Sequence, residues 1–327
     1  MKKQASLSPA TLVGYLNAAL EWLKSELNLS ANIITAKGTR HKMIQDILDQ
    51  ARNWIKPKSK REPYTAHMLR CLSEKVDKAA KSNPAHRLGK EAAVLDWARL
   101  SAFTGSRVGE YAQSVGTSTK ASRVPNTPFA DKFAGMPIAF IASNFEFFTK
   151  KNRKMSARRL LRHPSQATQV HIRFRYDKST RNFTIRKFAA SGHDLLCPVR
   201  AAIAIRARAQ ALGCKNLDPI GVAQIPKNKS KPTRTVFLVA NDVVRIMRKA
   251  CIDAYPDPTN YHRLNAHRID AHSARVFAAV CLRNAGISIN EIAFRLRWQP
   301  ESVEHYLRDC VCAIGRLTEA AIRGSLM

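Results

Sequence analysis

Long apolar runs are missing from this sequence, and none reaches the roughly 18 residues that a membrane-spanning helix needs. The first residues, MKKQASLSPATL, also lack the apolar stretch that is typical of a signal peptide. These two absences argue against a transmembrane or secreted protein. We therefore expect an intracellular protein with no membrane partner.

Cysteine pairs with the CxxC spacing are missing as well. The two cysteines that lie closest together, Cys310 and Cys312, are too near each other for a zinc-knuckle spacing. We expect thiols of a reducing compartment, with no disulfide framework, no metal site and no cofactor. The seven cysteines are Cys71, Cys197, Cys214, Cys251, Cys281, Cys310 and Cys312.

Acidic residues are scarce, with 24 Asp and Glu against 55 Lys and Arg in 327 residues, so the formal net charge is +31. A field of this strength favours a polyanionic partner, most often a nucleic acid. A generic solvated basic surface is the alternative. No aromatic RNA-recognition pattern is present, so a generic RNA-binding protein is the least favoured alternative.

Helical patterns fill the first part of the chain, in SPATLVGYLNAALEWLKSEL, HKMIQDILDQARNWI and TAHMLRCLSEKVDKAA. A polar stretch, SNPAHRLGKE, then reads as a linker. We predict a helical domain over residues 1–85 and a second domain over residues 90–327. Length alone allows two domains.

The second domain combines helices with a predicted β-hairpin. VHIRFRY and FTIRKF alternate in polarity and flank the loop DKSTRN. The helix EAAVLDWARLSAFTG should end at Gly105, Ser288 and Glu291 form a capping-box pattern, and Pro300 suits the start of a helix. The predicted fold class is mainly α with a small antiparallel β-sheet (α+β).

Four fragments carry side chains suited to phosphodiester chemistry. GSRVGE supplies Arg107, the hairpin loop supplies Lys178, and RWQPESVEHY supplies Trp298 and Tyr306. AHSARV supplies His272 and Arg275, three residues apart, so both can lie on one face of a helix. Guanidinium groups bind phosphate oxygens bidentately and stay charged at any working pH.

The order of these fragments resembles the tyrosine recombinase (phage-integrase) family. Its signature is an early arginine, a lysine on a β-hairpin, H-x-x-R, then His or Trp, then a nucleophilic tyrosine. The step from Trp298 to Tyr306 is one residue shorter than in most bacterial members, and the stretch looks closer to recombinase-like reading frames of eukaryotic, crypton-like mobile elements. The resemblance covers residues 90–310, with residues 8–82 similar to the core-binding domain.

The resemblance implies a two-domain, metal-independent enzyme that breaks and rejoins DNA. Arg107 and Arg275 would hold the phosphate, and Tyr306 would form a 3′-phosphotyrosyl intermediate. His272 would donate to the phosphate or exchange a proton with the tyrosine. Lys178 would protonate the leaving 5′ oxygen. Glu110 is expected to orient Arg107 or a helix end.

Several alternatives stay open at this point. Lys187 competes with Lys178, and Trp298 either donates to a phosphate oxygen or packs in the core. A type IB topoisomerase uses similar groups, and a catalytically silent DNA-binding protein derived from a mobile element would share the sequence.

The ends of the two domains carry the remaining predictions. KPKSKREP provides the candidate DNA contacts Lys56, Lys58, Lys60 and Arg61, and would also suit a solvated loop or a nuclear import signal. The helical pattern of residues 312–326 packs on its own domain or, as the resemblance implies, on a neighbouring protomer, so a dimer or tetramer on DNA is expected. In a eukaryote the location would be the nucleus, and otherwise the cytoplasm or nucleoid.

Overall fold

The computed structural model describes residues 14, 15, 18, 42, 46, 61–113, 119–124, 135–175, 184–225 and 233–307. Positions 305 and 306 are described only as parts of a helix. The chain divides into two compact units, Met1–Ser59 and Lys60–Met327. Of the first unit only five residues are described, all in helical conformation, so its role as a helical DNA-binding domain stays a prediction.

The division between the units falls earlier in the chain than the boundary at residues 85–90 expected from the sequence. Helix Ala66–Ser82, which the sequence suggested as part of the first domain, belongs to the second unit. It buries Met68, Leu69 and Val76 in the same core as helix Lys90–Thr104. The stretch between these helices therefore connects two packed elements of one unit.

The second unit has a mixed α and β architecture with small antiparallel sheets. Short 3₁₀ turns lie at Pro84–Leu88, Ala142–Asn144, Pro164–Gln166 and Ala266–Arg268. Its described α-helices are α1 (Ala66–Ser82), α2 (Lys90–Thr104), α3 (Val108–Tyr111), α4 (Ala157–Arg162), α5 (Pro198–Ala211), α6 (Ala240–Ala254), α7 (Tyr261–Leu264), α8 (Ser273–Asn284), α9 (Ile289–Leu296) and α10 (Pro300–Leu307). None of them combines the length and the apolarity needed to cross a bilayer.

The described strands form a three-stranded sheet, in the order β1-β2-β3, and a separate two-stranded sheet, β4-β5, each antiparallel. The predicted hairpin is confirmed, with Val170 opposite Phe188 and Phe174 opposite Thr184. The strands are β1 (Phe145–Phe148), β2 (Gln169–Phe174), β3 (Thr184–Ala189), β4 (Val222–Ile225) and β5 (Arg234–Phe237).

Helix α2 lies at the centre of the unit and is buried on nearly every side. Its Trp97 stacks on Tyr111 and Phe140, with ring centroids 5.0 and 5.9 Å away. It packs against α1, α5 and α8. The end of α2 at Gly105 is therefore held in a fixed place, and the predicted site begins two residues later.

Local signals explain the helix ends near the site. The hydroxyl of Ser288 accepts a hydrogen bond from the backbone N–H of Glu291 at 3.3 Å, and the Glu291 carboxylate accepts one from the Ser288 backbone N–H at 3.1 Å. This confirms the predicted capping box. Helix α10 begins at Pro300 as predicted.

The five cysteines in the described ranges, Cys71 to Cys281, are all free.

Candidate active site

Arg107 follows a tight turn at the end of α2. Gly105 has a left-handed backbone (φ 55°), and a Cβ atom there would lie 3.0 Å from the side chain of Leu296. Arg107 precedes α3, and its backbone N–H donates to Oε2 of Glu110 at 3.1 Å. Its Nη1 lies 3.8 Å from Oε1 of the same carboxylate. Glu110 therefore accepts a hydrogen bond from the backbone of Arg107 and lies within ion-pair distance of its guanidinium.

Arg275 lies in α8 and is buried, with only 5% of its surface exposed. Its Nη1 donates to the carbonyl oxygen of Gly105 at 2.8 Å, across a separation of 170 residues. Its guanidinium carbon lies 4.3 Å from the centre of the Trp298 ring, a cation–π arrangement. The structure thus joins Arg275, Trp298 and the turn before Arg107 into one neighbourhood.

His272 lies at the N-terminal end of α8, one turn before Arg275. Its backbone N–H donates to Oδ1 of Asp270 at 2.7 Å, and Oδ2 of Asp270 pairs with Arg61. Its Nδ1 is buried, and it has no hydrogen-bond partner among the residues that the structure describes. Burial lowers the pKa of His272, and the positive charges of Arg61, Arg275 and Arg107 lower it further, against the opposing effect of Asp270. The imidazole is therefore neutral near pH 7 and has a nitrogen left for a ligand.

This environment predicts an acid-sensitive contribution of His272 to stability. The unfolded chain takes up the imidazole proton near pH 6.5, whereas the folded chain resists it, so the unfolded state binds more protons. Stability is therefore lost as the pH falls from about 6.5 through the lower folded pKa. We expect urea unfolding to show a larger loss of stability between about pH 7.5 and pH 5 for the unsubstituted protein than for His272→Gln. Equal losses in the two proteins would contradict this assignment.

A buried ion pair lies beside this neighbourhood. Arg297 directly follows α9 with a left-handed backbone (φ 61°) and is 2% exposed. Its Nη2 donates to both carboxylate oxygens of Glu110 at 3.2 and 3.0 Å, and its Nη1 donates to Oε1 at 3.2 Å. Its guanidinium carbon lies 3.5 Å from the centre of the Phe174 ring, at the end of β2. Glu110 and Arg297 therefore connect the loop end of the β2–β3 hairpin to Arg107.

Of the two candidate catalytic lysines, the structure describes only Lys187. Lys178 lies outside the described residues. Lys187 lies on β3, opposite His171 on β2, and its positive charge lowers the pKa of that histidine after the larger effect of burial. Its neighbour Phe188 points to the other face of the sheet, where the guanidinium of Arg295 from α9 lies 4.1 Å from the ring centre. Lys187 therefore faces away from α9 and the Arg297 pair, because successive strand residues alternate.

Tyr306 belongs to α10, and its side chain lies outside what the structure describes. The helix itself is held by Val303 and Leu307, which are buried in one cluster with Trp298 and Ala278. Ala278 comes from α8, so the helix that carries Tyr306 packs on the helix that carries Arg275. Trp298 is 3% exposed and packs in this cluster, and its role as a donor to phosphate stays a prediction.

Of the four DNA contacts predicted in the basic stretch, the structure describes only one. Lys56, Lys58 and Lys60 lie outside the described residues. Arg61 is ion-paired with Asp270, with 35% and 36% of the two side chains exposed. A phosphate at Arg61 would therefore compete with this carboxylate. The predicted C-terminal helix over residues 312–326 also lies beyond the described part.

Sequence reasoning missed two members of the site. Asp270 precedes the H-x-x-R element and accepts a hydrogen bond from the backbone of His272. Its ion-pair partner, Arg61, lies 209 residues away in the sequence. Arg297 stands at a helix end where its positive φ would favour glycine, and no local pattern marks its partner. The only feature of the sequence that could have pointed to Arg297 is its position directly before the candidate Trp298.

No family model matches this chain, and no curated protein matches it. The likeness to tyrosine recombinases therefore rests on the residues named above. The structure brings Arg107, His272, Arg275 and Trp298 into one region, with α10 packed beside them.

Proposed function

We propose that the chain is a DNA breaking-and-joining enzyme of the tyrosine recombinase kind, acting as a site-specific recombinase or integrase of a mobile element. The observation that carries the proposal is the bond from Arg275 to the carbonyl of Gly105, together with its stacking on Trp298. Three elements of the ordered signature meet there, although they are far apart in sequence. A random set of basic residues has no reason to converge.

The proposed reaction is a reversible transesterification. The hydroxyl oxygen of Tyr306 bonds to phosphorus, and the bond from phosphorus to the 5′ oxygen breaks. The phenolic proton passes to the neutral imidazole of His272, and Lys178 gives a proton to the leaving oxygen. Arg107 and Arg275 stabilise the charge that gathers on the non-bridging oxygens. A new 5′ hydroxyl reverses the step, because the 3′-phosphotyrosyl bond keeps the energy of the phosphodiester.

The electrostatics of the described residues support these roles. Because its pKa is lowered, the imidazole of His272 is unprotonated near neutral pH, as a proton acceptor must be. The carboxylate of Glu110 is shared between Arg107 and Arg297, so the Arg107 guanidinium is oriented without being buried. Double-stranded DNA is the proposed substrate, a homo-oligomer on DNA is the proposed assembly, and the nucleus is the proposed location in a eukaryotic host.

A nicked duplex tests the proposal directly. Cleavage next to the nick releases a short strand that diffuses away, so the covalent intermediate accumulates. We expect a protein–DNA adduct on a denaturing gel, and proteolysis followed by mass spectrometry should map it to the peptide that contains Tyr306. DNA binding without any adduct would favour a silent DNA-binding protein, and relaxation of supercoils without strand exchange would favour a topoisomerase.

A further inference from the structure

The connection between β1 and β2 carries an unusual concentration of positive charge. Residues 150–162 contain seven basic side chains and no acidic one. The proposed chemistry at Arg275 does not use any of them. The seven are Lys150, Lys151, Arg153, Lys154, Arg158, Arg159 and Arg162.

The backbone of this connection is fixed to the fold. Met155 and Leu160 are buried in the main core, and the backbone N–H of Met155 donates to the carbonyl of Phe147 at 2.8 Å. The hydroxyl of Ser156 caps α4 by accepting from the backbone N–H of Arg159 at 3.2 Å. The basic side chains are therefore displayed by a defined scaffold rather than by a free tail.

Most of this charge is not neutralised. Lys154 pairs with Glu146 at 2.6 Å, and Arg159 bonds to the Gln166 side chain at 2.8 Å. The other five cations are exposed and make no ion pair within the described ranges. On α4, Arg158 and Arg162 are four residues apart and so lie on one face, away from the buried Leu160.

The outer face of the sheet adds two cations and one carboxylate, Glu146, which lies opposite His171 and pairs with Lys154. Arg173 on β2 and Lys187 on β3 are exposed, and both lie on the face that carries His171. The opposite face holds Phe174 and Phe188, which contact Arg297 and Arg295. The basic connection lies at the Gln169 end of β2, about 20 Å from the Phe174 end for six strand residues.

We propose that residues 150–162, with Arg173 and Lys187, form a second binding surface for the phosphate backbone of duplex DNA, outside the site around Arg275. The inference rests on the proposed function only in taking duplex DNA as the partner. Duplex DNA presents a negative charge about every 1.7 Å along its axis, which suits a row of fixed, unneutralised cations better than a single anion does. Guanidinium forks add bidentate contacts to phosphate. This surface holds DNA that flanks the reacting phosphate.

Salt dependence of binding tests this surface in the full-length protein. The patch variant replaces Lys150, Lys151, Arg153, Arg158 and Arg162 with Gln. If all five contact phosphates, the log–log slope of duplex affinity against salt becomes shallower by about 4.5, at about 0.9 for each contact. Adduct formation on the nicked duplex at saturating protein stays unchanged, because the patch lies away from the site.

A control variant has the same change in net charge. It replaces five exposed cations elsewhere on the unit with Gln, namely Arg70, Lys81, Lys215, Arg234 and Arg283. We expect its slope to change by less than about 1. Equal changes in both variants, or an unchanged slope in the patch variant, would overturn the proposal. If the unsubstituted protein binds duplex but forms no adduct, the proposed chemistry fails while the slope comparison still decides this surface.

Discussion

Tyr306→Phe is expected to remove the covalent protein–DNA adduct completely and to leave the affinity for duplex DNA unchanged. The substitution deletes only the hydroxyl oxygen that attacks phosphorus in the proposed reaction, so no phosphotyrosyl bond could form. The aromatic ring is kept, and α10 still packs through Val303 and Leu307. The expected loss of strand cleavage is therefore chemical, with no change in fold.

The matched measurements are an adduct gel on the nicked duplex and a binding titration on the intact duplex. Tyr261→Phe is the control, because Tyr261 is 50% exposed and lies on α7, outside the site. The control should form the adduct at the rate of the unsubstituted protein. An adduct that persists in Tyr306→Phe would exclude Tyr306 as the nucleophile.

Breaking the pair between Glu110 and Arg297 has the largest expected effect on stability. Arg297→Met leaves the buried Glu110 carboxylate without its main partner, and Glu110→Gln leaves the Arg297 guanidinium uncompensated at 2% exposure. Removing one partner of a buried ion pair typically costs about 3–5 kcal/mol. We expect each single variant to lose a free energy of unfolding of this order in urea titrations followed by fluorescence.

The double variant Glu110→Gln, Arg297→Met distinguishes the effect of the ion pair on stability from its effect on the orientation of Arg107. Replacing both partners removes the uncompensated charge, so the double variant should be more stable than the sum of the two single losses predicts. Adduct formation should stay low in the double variant, because Arg107 loses the carboxylate that orients its guanidinium. Strictly additive stability losses would show that the two residues do not interact.

The parts of the fold that the sequence predicted depend on short-range signals. The capping box at Ser288, the helix start at Pro300 and the helix end at Gly105 each follow from the conformational preferences of a few neighbouring residues. The hairpin follows from alternating polarity on both sides of a turn. Such signals need no knowledge of distant partners.

The parts that it did not predict depend on pairs formed over long distances. Nothing near Asp270 indicates that it pairs with Arg61, and nothing near Arg297 indicates Glu110, 187 residues away. The unit boundary at Ser59 depends on where α1 finds its packing partners, which amphipathic spacing alone does not specify. The strand register assigns the Lys187 side chain to the outer face, which the sequence alone did not indicate, and the choice between Lys178 and Lys187 stays a prediction.

The two faces of strand β3 belong to different parts of the molecule. One face packs on α9, beside the proposed reaction site, and the other belongs to the proposed basic DNA-binding surface. Phe188 and Arg186 meet α9 on one side, while Lys187 faces water on the other. Inserting or deleting one residue within Thr184–Ala189 would reverse the two sides beyond that point, exposing an aromatic ring and pressing an ammonium group against Arg295. This strand should therefore accept exchanges that keep the polarity of each face but no change in length, and a shift of one residue would disable both regions at once.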